Sequence, residues 1–234
     1  MTKESKYHTE QQDIIFFENF NSEQEVRRNG GDPDVGATSP TFSLGEGNLD
    51  GITAQINYPL SKFRLCEPER PFSIRTRVYL TDTDASVFLQ LYDAPTTNKS
   101  FRFMIAGNWP LVADNDRFVL ELWDEVGTAG RIMTGRMYDS ALTTAAKDKW
   151  VEFVATYDGR GGATAQDGIC LYIDGVRVDD TDIDYDLFGG NYVQMRYFSD
   201  LEYEVGRNVE GKMDVLEVWN RVLTPEEVAN MAGV

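Results

Sequence analysis

The sequence predicts an all-β fold, a two-sheet antiparallel β-sandwich with one short helix near the C-terminus. Apolar and polar residues alternate in many short segments, turn-forming residues separate these segments, and a helix-capping pattern follows the last of them. A chain of 234 residues is long enough to bury its own core as a single domain. Residues 1–12 are polar and lack periodicity, so we expect a flexible arm there and one domain over residues 13–234.

The segment that begins at Phe72 shows the alternation most clearly. Phe72, Ile74 and Val78 fall on one face of the predicted strand, whereas Arg75 and Arg77 fall on the other. Further strand signals lie at residues 14–17, 87–91, 101–105, 118–122, 150–157, 169–173 and 213–219. This number of short strands favours a sandwich.

Turn and cap residues mark the ends of the predicted elements. Asp174-Gly175 lies between two β-prone runs and predicts a hairpin. Near the C-terminus, Thr224 precedes a proline and is followed three residues later by Glu227, which is the pattern of a capped helix. Residues 21–40 contain adjacent glycines, two prolines and many polar groups, so we expect a long loop there.

The charge balance disfavours several classes of partner. The net charge is −17, from 22 Lys and Arg against 39 Asp and Glu. Such a field repels nucleic acid and anionic lipid, and no apolar run reaches the roughly 18 residues of a membrane span. The N-terminus lacks the apolar core of a signal peptide. We therefore expect cytoplasmic synthesis and an extracellular or virion-surface location that is reached by another route.

The chain contains two cysteines, Cys66 and Cys170. Two cysteines do not make a disulfide framework, and the sequence leaves open both a pair of buried thiols and a single bridge between strands.

Three segments resemble one known family in their order and spacing. Residues 71–78, PFSIRTRV, are similar to an early strand of that family, and KWVEFVATYDG at 149–159 leads into LYIDG at 171–175. Residues 211–227, GKMDVLEVWNRVLTPEE, resemble its closing signature. The family is the concanavalin A-like superfamily, in its laminin G-like branch. The resemblance implies a laminin G-like jelly roll over residues 13–234.

This fold hosts lectins, adhesion modules, virion proteins and glycan-cleaving enzymes, so the resemblance alone does not fix a function. We expect a non-catalytic recognition module that binds a glycan or a protein partner, as a phage decoration or fibre component present in many copies. The alternatives are a purely structural particle protein without glycan affinity, and a glycoside hydrolase or polysaccharide lyase.

Catalysis is disfavoured by the residues that it would need. Some enzymes of this fold carry their carboxylates on one strand as E-x-D-x-x-E, but here Lys212 takes the place of the first acid. Asp214 and Glu217 are three residues apart, so regular alternation predicts that they face opposite ways. The only histidine, His8, lies in the predicted arm, which excludes histidine-based nucleophilic catalysis within the domain. We predict no catalytic residues.

Calcium is the cofactor that the acidic side chains suggest, since it prefers oxygen ligands. The resemblance implies an ion between the N-terminal strand and the last strand, where Asp214 occupies a position that commonly serves this role. The candidate ligands are Glu18, Asn19, Asp32 and Asp214. Alternatively, Asp214 caps a loop or pairs with Arg221. The acidic run 179–186 is a second candidate, and a solvated loop is the alternative there.

Glycan binding requires an exposed aromatic ring beside polar groups. Trp109 lies in a predicted turn and is our first choice, followed by Trp123, Tyr92 and Tyr138. Packing in the core or at its rim is the alternative for each of them.

Overall fold

The computed structural model describes residues 13–35, 38–43, 45–51, 54–62, 65, 70–83, 86–93, 98–106, 117–123, 133–137, 146–159, 168–178 and 202–233. The predicted arm, the acidic run 179–186 and Cys66 lie outside these residues, so the question of a Cys66–Cys170 bridge stays open.

The described chain forms strands with two short helices. The strands are β1 (Ile14–Glu18), β2 (Thr41–Ser43), β3 (Glu46–Asp50), β4 (Ile56–Pro59), β5 (Phe72–Leu80), β6 (Val87–Asp93), β7 (Asn98–Ala106), β8 (Arg117–Trp123), β9 (Met133–Met137), β10 (Trp150–Tyr157), β11 (Ile169–Ile173), β12 (Val176–Arg177), β13 (Glu202–Val205) and β14 (Glu210–Trp219). The helices are α1 (Glu23–Arg28) and α2 (Pro225–Ala232), and a 3-10 turn spans Leu60–Lys62. Neither helix of the described chain is long and apolar enough to cross a membrane.

The strands form two antiparallel sheets, as the sequence predicts. The first sheet has the order β12-β11-β10-β5-β14-β3-β2, with β1 also paired to β14. The second sheet has the order β4-β13-β6-β7-β8-β9. The predicted hairpin forms between β11 and β12, where Asp174 and Gly175 adopt φ angles of 48° and 78°. The arrangement is a jelly-roll sandwich, which confirms the predicted fold class.

One hydrophobic core lies between the sheets. In β5, Phe72, Ile74 and Val78 point into it, and β10 and β14 contribute Phe153 and Leu216. Phe153 stacks on Phe88 of the facing sheet with ring centroids 5.0 Å apart. The alternation in the sequence therefore places every second residue of these strands on an outer face.

The C-terminal helix confirms the capping pattern. Thr224 Oγ1 accepts a hydrogen bond from Glu227 N, and the Glu227 side chain accepts one from Thr224 N. Gly233 ends the helix in the left-handed conformation at φ 76°.

The expectation of an unbroken loop over residues 21–40 is wrong, because α1 lies within it. Ser22 caps this helix by accepting a hydrogen bond from Glu25 N, and Val26 anchors it in the core. The Ser22-x-x-Glu25 spacing is a local signal for this helix, and the sequence analysis missed it.

Candidate functional site

A row of side chains crosses the outer face of the first sheet, and we call it the aromatic–ionic row. In strand register, the row consists of Trp150, Tyr79, Lys212, Asn48 and Thr41. Residues directly opposite each other on neighbouring strands place their side chains on the same face. The row faces away from the core, because both sequence neighbours of Tyr79 are buried in it.

Glycine at position 211 allows β14 to approach β5 at this row. A Cβ atom there would lie 1.9 Å from the carbonyl oxygen of Tyr79, and Gly211 has a φ angle of 144°. Only glycine fits this position without moving the backbone. The local sequence Gly211-Lys212 thus fixes the distance between Lys212 and the aromatic end.

The aromatic end of the row is a partly exposed cluster of three flat groups. The rings of Trp150 and Tyr79 meet edge to face, with centroids 5.9 Å apart. The Arg77 guanidinium lies 5.2 Å from the centroid of Trp150. Partly exposed flat groups of this kind offer stacking surface to a sugar ring or to a partner side chain.

Two partly exposed ion pairs flank the aromatic end. Arg77 Nη1 lies 2.9 Å from Asp214 Oδ2, with side chains 46% and 36% exposed. Lys212 Nζ lies 2.8 Å from Glu46 Oε2, with side chains 43% and 23% exposed. Ion pairs this exposed contribute little to stability, so a ligand's hydroxyl groups can share them at low cost.

The far end of the row is polar and uncharged. Asn48 Nδ2 donates to the carbonyl oxygen of Thr41 at 3.2 Å and to Ser43 Oγ at 3.3 Å. Thr41 and Ser43 are exposed. The row therefore runs from aromatic through ionic to amide and hydroxyl groups.

A β-bulge corrects the sequence argument about Asp214 and Glu217. The register of β14 against β5 shifts between Met213 and Val215, so Asp214 is the extra residue. Asp214 binds Arg77 and Glu217 binds Arg75, and these two arginines share one face of β5. The two carboxylates therefore face the same way, and the prediction of opposite faces is wrong because regular alternation does not hold across a bulge.

Beside the row lies a mostly buried cluster of one cation and two anions. Arg75 Nε and Nη2 lie 2.7 and 2.6 Å from Glu152 Oε2, and Arg75 Nη1 lies 2.7 Å from Glu217 Oε2. Burial alone would lower the pKa of Arg75, but the two carboxylates raise it by more. Desolvation raises the pKa of Glu152, and Glu152 Oε1 has no hydrogen-bond partner among the described residues. Arg75 holds both carboxylates to the sheet.

The C-terminal helix covers another part of this outer face. Val228 and Leu223 pack against Val154, Tyr172 and Trp219 in a small apolar cluster outside the main core. Among the described residues, the helix packs on a part of the face that does not include the aromatic–ionic row.

The helix is fastened to the sheet by hydrogen bonds. Ser73 Oγ donates to the carbonyl oxygen of Arg221 at 2.8 Å and accepts from Leu223 N at 2.9 Å. Arg221 binds Glu227 at 2.8 Å and Asp13 at 3.0 Å, which joins the helix to the start of β1. The expected alternative pairing of Asp214 with Arg221 is therefore wrong.

The outer face of the second sheet carries a second polar row, which is largely buried. In register, it consists of Asn57, Glu204, Gln90, Arg102 and Glu121. Arg102 Nη2 lies 2.6 Å from Glu121 Oε2, and these side chains are 13% and 1% exposed. Gln90 Nε2 donates to Glu204, and Arg207 Nη1 lies 2.9 Å from the same carboxylate. We call this set the buried polar row.

The aromatic residues predicted for sugar binding fall elsewhere. Trp109 and Tyr138 lie outside the described residues. Tyr92 pairs with Lys99 in the second sheet, and Trp123 is the last residue of β8, so their role stays a prediction. Sequence reasoning missed the Trp150–Tyr79 pair. The alternation of β5 indicated an outward Tyr79, but the register that sets Trp150 opposite it has no local signal.

The candidate calcium ligands do not meet at one place. Glu18 is buried, and its carboxylate accepts hydrogen bonds from Tyr58 Oη at 2.8 Å and from Asn29 Nδ2 at 3.0 Å, besides two backbone amides. Burial and the Glu18 charge raise the pKa of Tyr58, so the phenol stays a donor. Asp214 lies on the outer face with Arg77. Glu18 and Asp214 thus lie on opposite faces of the sheet.

The other two candidates have local roles. Asn19 Oδ1 accepts from Asn21 N at 3.4 Å, and Asp32 Oδ1 accepts from Asp34 N at 3.0 Å. Within the described ranges, no group of three or more acidic, cysteine or histidine side chains is arranged to hold a metal. Calcium binding by the chain stays a prediction, which melting curves in EDTA and in millimolar calcium test.

A family model and several solved structures resemble the chain. The model of the concanavalin A-like lectin/glucanases superfamily matches residues 50–229, more than half of the chain. No curated protein matches it.

One similar structure is domain 4 of AbnA, a GH43 extracellular arabinanase from Geobacillus stearothermophilus, in complex with arabinotriose, at 15% identity and a TM-score of 0.58 over 94% of this chain and 98% of that one. Another is the botulinum neurotoxin serotype G binding domain, at 15% identity and 0.57 over 94% of this chain and 50% of that one. The binding domain of Paraclostridial Mosquitocidal Protein 1 gives 12% identity and 0.58 over 94% and 52%. The chain thus spans about half the length of the last two. At these identities the likeness concerns the fold.

Proposed function

The chain belongs to the concanavalin A-like lectin/glucanase superfamily, and on that premise we propose that it is a non-catalytic recognition module that binds a glycan or a protein partner. One observation carries the proposal. The aromatic–ionic row places the partly exposed rings of Trp150 and Tyr79 beside two ion pairs and the Asn48 amide on the outer face of the first sheet, where hydroxyl groups of a ligand can reach them. Apolar surface with a few placed polar groups is what binding a sugar or a partner side chain requires.

The similar structures support a binding role. Domain 4 of the arabinanase was solved with arabinotriose, and the other two are described as binding domains. Among the described residues, the row combines partly exposed aromatic groups with hydrogen-bonding groups on one face of the sheet.

The environment of the carboxylates supports binding without cleavage. Lys212 stands where the related enzymes carry their first acid, and arginine side chains hold Asp214 and Glu217 at 2.9 and 2.7 Å. Glycoside hydrolysis needs one carboxyl group to deliver a proton and another to act as base or nucleophile. Here each carboxylate already accepts a hydrogen bond from an arginine, so neither is free to take up one of these roles.

Single protein–sugar contacts are usually weak, so we further propose that the module acts in many copies, on a particle or an oligomer at an extracellular or virion surface. Linked sites raise avidity by about 10²–10⁴ without new contacts. A monomer then binds weakly, while an array of monomers binds usefully.

A glycan array with a multimerised form of the protein tests this proposal, beside an assay for reducing ends and unsaturated products. We expect array binding that Trp150→Ala removes and no turnover. The matched control is Glu226→Gln, since Glu226 is an exposed residue of the C-terminal helix and is not part of the row. Turnover that Glu217→Gln abolishes would contradict the non-catalytic role. A blank array would favour a structural particle protein.

A further inference from the structure

We infer that the aromatic–ionic row holds an uncharged glycan chain laid across the strands, anchored at Trp150 and continued to Asn48. This inference rests on the proposed function and adds the charge, the direction and the length of the ligand.

The length follows from the register. Trp150, Tyr79, Lys212, Asn48 and Thr41 belong to five adjacent strands of one sheet. Neighbouring strands lie about 4.8 Å apart, so four spacings make the row about 19 Å long. That length fits several linked sugar rings and exceeds what a single terminal sugar can fill.

The direction follows from the chemistry along the row. The two rings occur only at the β10–β5 end of the row, where a sugar ring can stack. The Lys212–Glu46 pair follows, and Asn48 with its neighbours Thr41 and Ser43 ends the row. A chain that stacks at Trp150 therefore reaches Asn48 only by crossing the strands, whereas a chain parallel to the strands runs from the rings onto the covered side of the face.

The preference for an uncharged ligand follows from the ion pairs. Arg77 and Lys212 each have a carboxylate within 2.9 Å, and the adjacent Arg75 serves two carboxylates. Summed over these groups, the face has one more negative than positive charge, and the whole chain carries −17. An anionic ligand must displace Asp214 or Glu46 against that field. A hydroxyl group donates to the carboxylate and accepts from the cation at once, so both ion pairs stay intact.

The neighbouring buried cluster fixes the aromatic end of the row. Glu152 lies two residues from Trp150 on the same strand and opposite Arg77 in register. Because Glu152 is held by Arg75, the backbone of β10 under Trp150 is tied to β5 independently of any ligand. The site is therefore preformed, which lowers the entropic cost of binding.

The test measures affinity against ligand length by titration calorimetry on the intact protein. The probes are arabino-, xylo- and cello-oligosaccharides from mono- to tetrasaccharides, with polygalacturonate as the acidic probe. We expect affinity for one neutral series to rise with each added sugar, and little binding of polygalacturonate at low salt. Urea unfolding of each variant verifies that it folds. If Trp150→Ala does not fold, Trp150→Phe replaces it.

The variants separate the two ends of the row. Trp150→Ala should weaken the binding of all lengths by about tenfold, equivalent to about 1.4 kcal/mol. Asn48→Ala should remove the gain from the longest probe and leave disaccharide binding unchanged. Glu226→Gln should change nothing.

Three results would each overturn the inference even if Trp150→Ala weakens binding: an affinity that does not depend on length, an equal effect of Asn48→Ala on short and long probes, or strongest binding of polygalacturonate. The proposed glycan function would survive those results. If no probe binds even the multimerised protein, the glycan function and this inference fall together.

Discussion

The two outer faces of the sandwich use the same chemistry at different depths. On the first sheet, Arg77 pairs with Asp214 at 2.9 Å, and on the second sheet Arg102 pairs with Glu121 at 2.6 Å. The first pair is 46% and 36% exposed, whereas the second is 13% and 1% exposed. An exposed pair is held loosely and screened by salt, but a buried pair is costly to break. The same type of ion pair therefore offers contacts to a ligand on the first sheet and holds strands together on the second sheet.

The largest effect should come from breaking the buried polar row. Arg102→Met removes the guanidinium from a carboxylate that is 1% exposed, and we expect a loss of about 3–5 kcal/mol in the free energy of unfolding. Urea unfolding measures it. The matched control is Lys212→Met, which removes the cation of a partly exposed pair and should cost at most about 1 kcal/mol. Equal losses in the two variants would contradict the comparison.

The Arg75 cluster lies between these extremes, and its substitution sharpens the comparison. Arg75→Met leaves Glu152 and Glu217 side by side in a poorly hydrated place, so we expect a loss of about 3 kcal/mol by urea unfolding. Adding Glu152→Gln removes one of the two like charges and should restore part of the loss. If the double variant is less stable than Arg75→Met, repulsion between the carboxylates is not the cause.

The fold was predictable because its signals are local. Alternation in β5 separates Ile74 and Val78 from Arg75 and Arg77, and Asp174-Gly175 sets its hairpin by backbone conformation alone. The capping box at Thr224 likewise lies within four residues. Such features do not depend on which strands become neighbours.

The candidate site was not predictable in the same way, because it depends on register. Trp150 meets Tyr79 only when β10 and β5 align, and Asn48 joins the row only through β14 and β3. The bulge at Asp214 reverses the face that alternation assigns to this residue relative to Glu217. Pairing between distant strands therefore decides the chemistry of the row.

A smaller effect is expected where the C-terminal helix covers the first sheet. The Arg221 hydrogen bond, with those of Thr224, holds the pKa of Glu227 at about 2, below its ordinary 4.5. A carboxyl group whose pKa is lower in the folded than in the unfolded chain stabilises the folded state at a pH above its pKa in the unfolded chain. This stabilisation disappears as the pH falls from about 4.5 to about 2.

Glu227→Gln should therefore lower the melting temperature at neutral pH by about 2–4 °C, as expected for about 1 kcal/mol in a chain of this size. The difference from the wild type should shrink towards pH 2. Differential scanning calorimetry across this range measures it, with Glu226→Gln as the control that lacks the Arg221 contact. A difference that is constant with pH would show that the carboxylate charge is not responsible.

The smallest effect on stability, and the sharpest division between the two faces, is expected at Arg77. Its pair with Asp214 is exposed, so Arg77→Met should change the free energy of unfolding by less than about 1 kcal/mol. Its guanidinium also lies 5.2 Å from the Trp150 ring, where it completes the flat aromatic end of the row. The variant should therefore lose affinity for a neutral oligosaccharide while it melts like the wild type. Arg102→Met should have the opposite effect. Its free energy of unfolding should fall, whereas the affinity of the protein that remains folded without denaturant should not change. If Arg77→Met binds normally, the guanidinium is not part of the recognition surface, and the site is confined to Trp150, Tyr79 and the groups that follow them along the row.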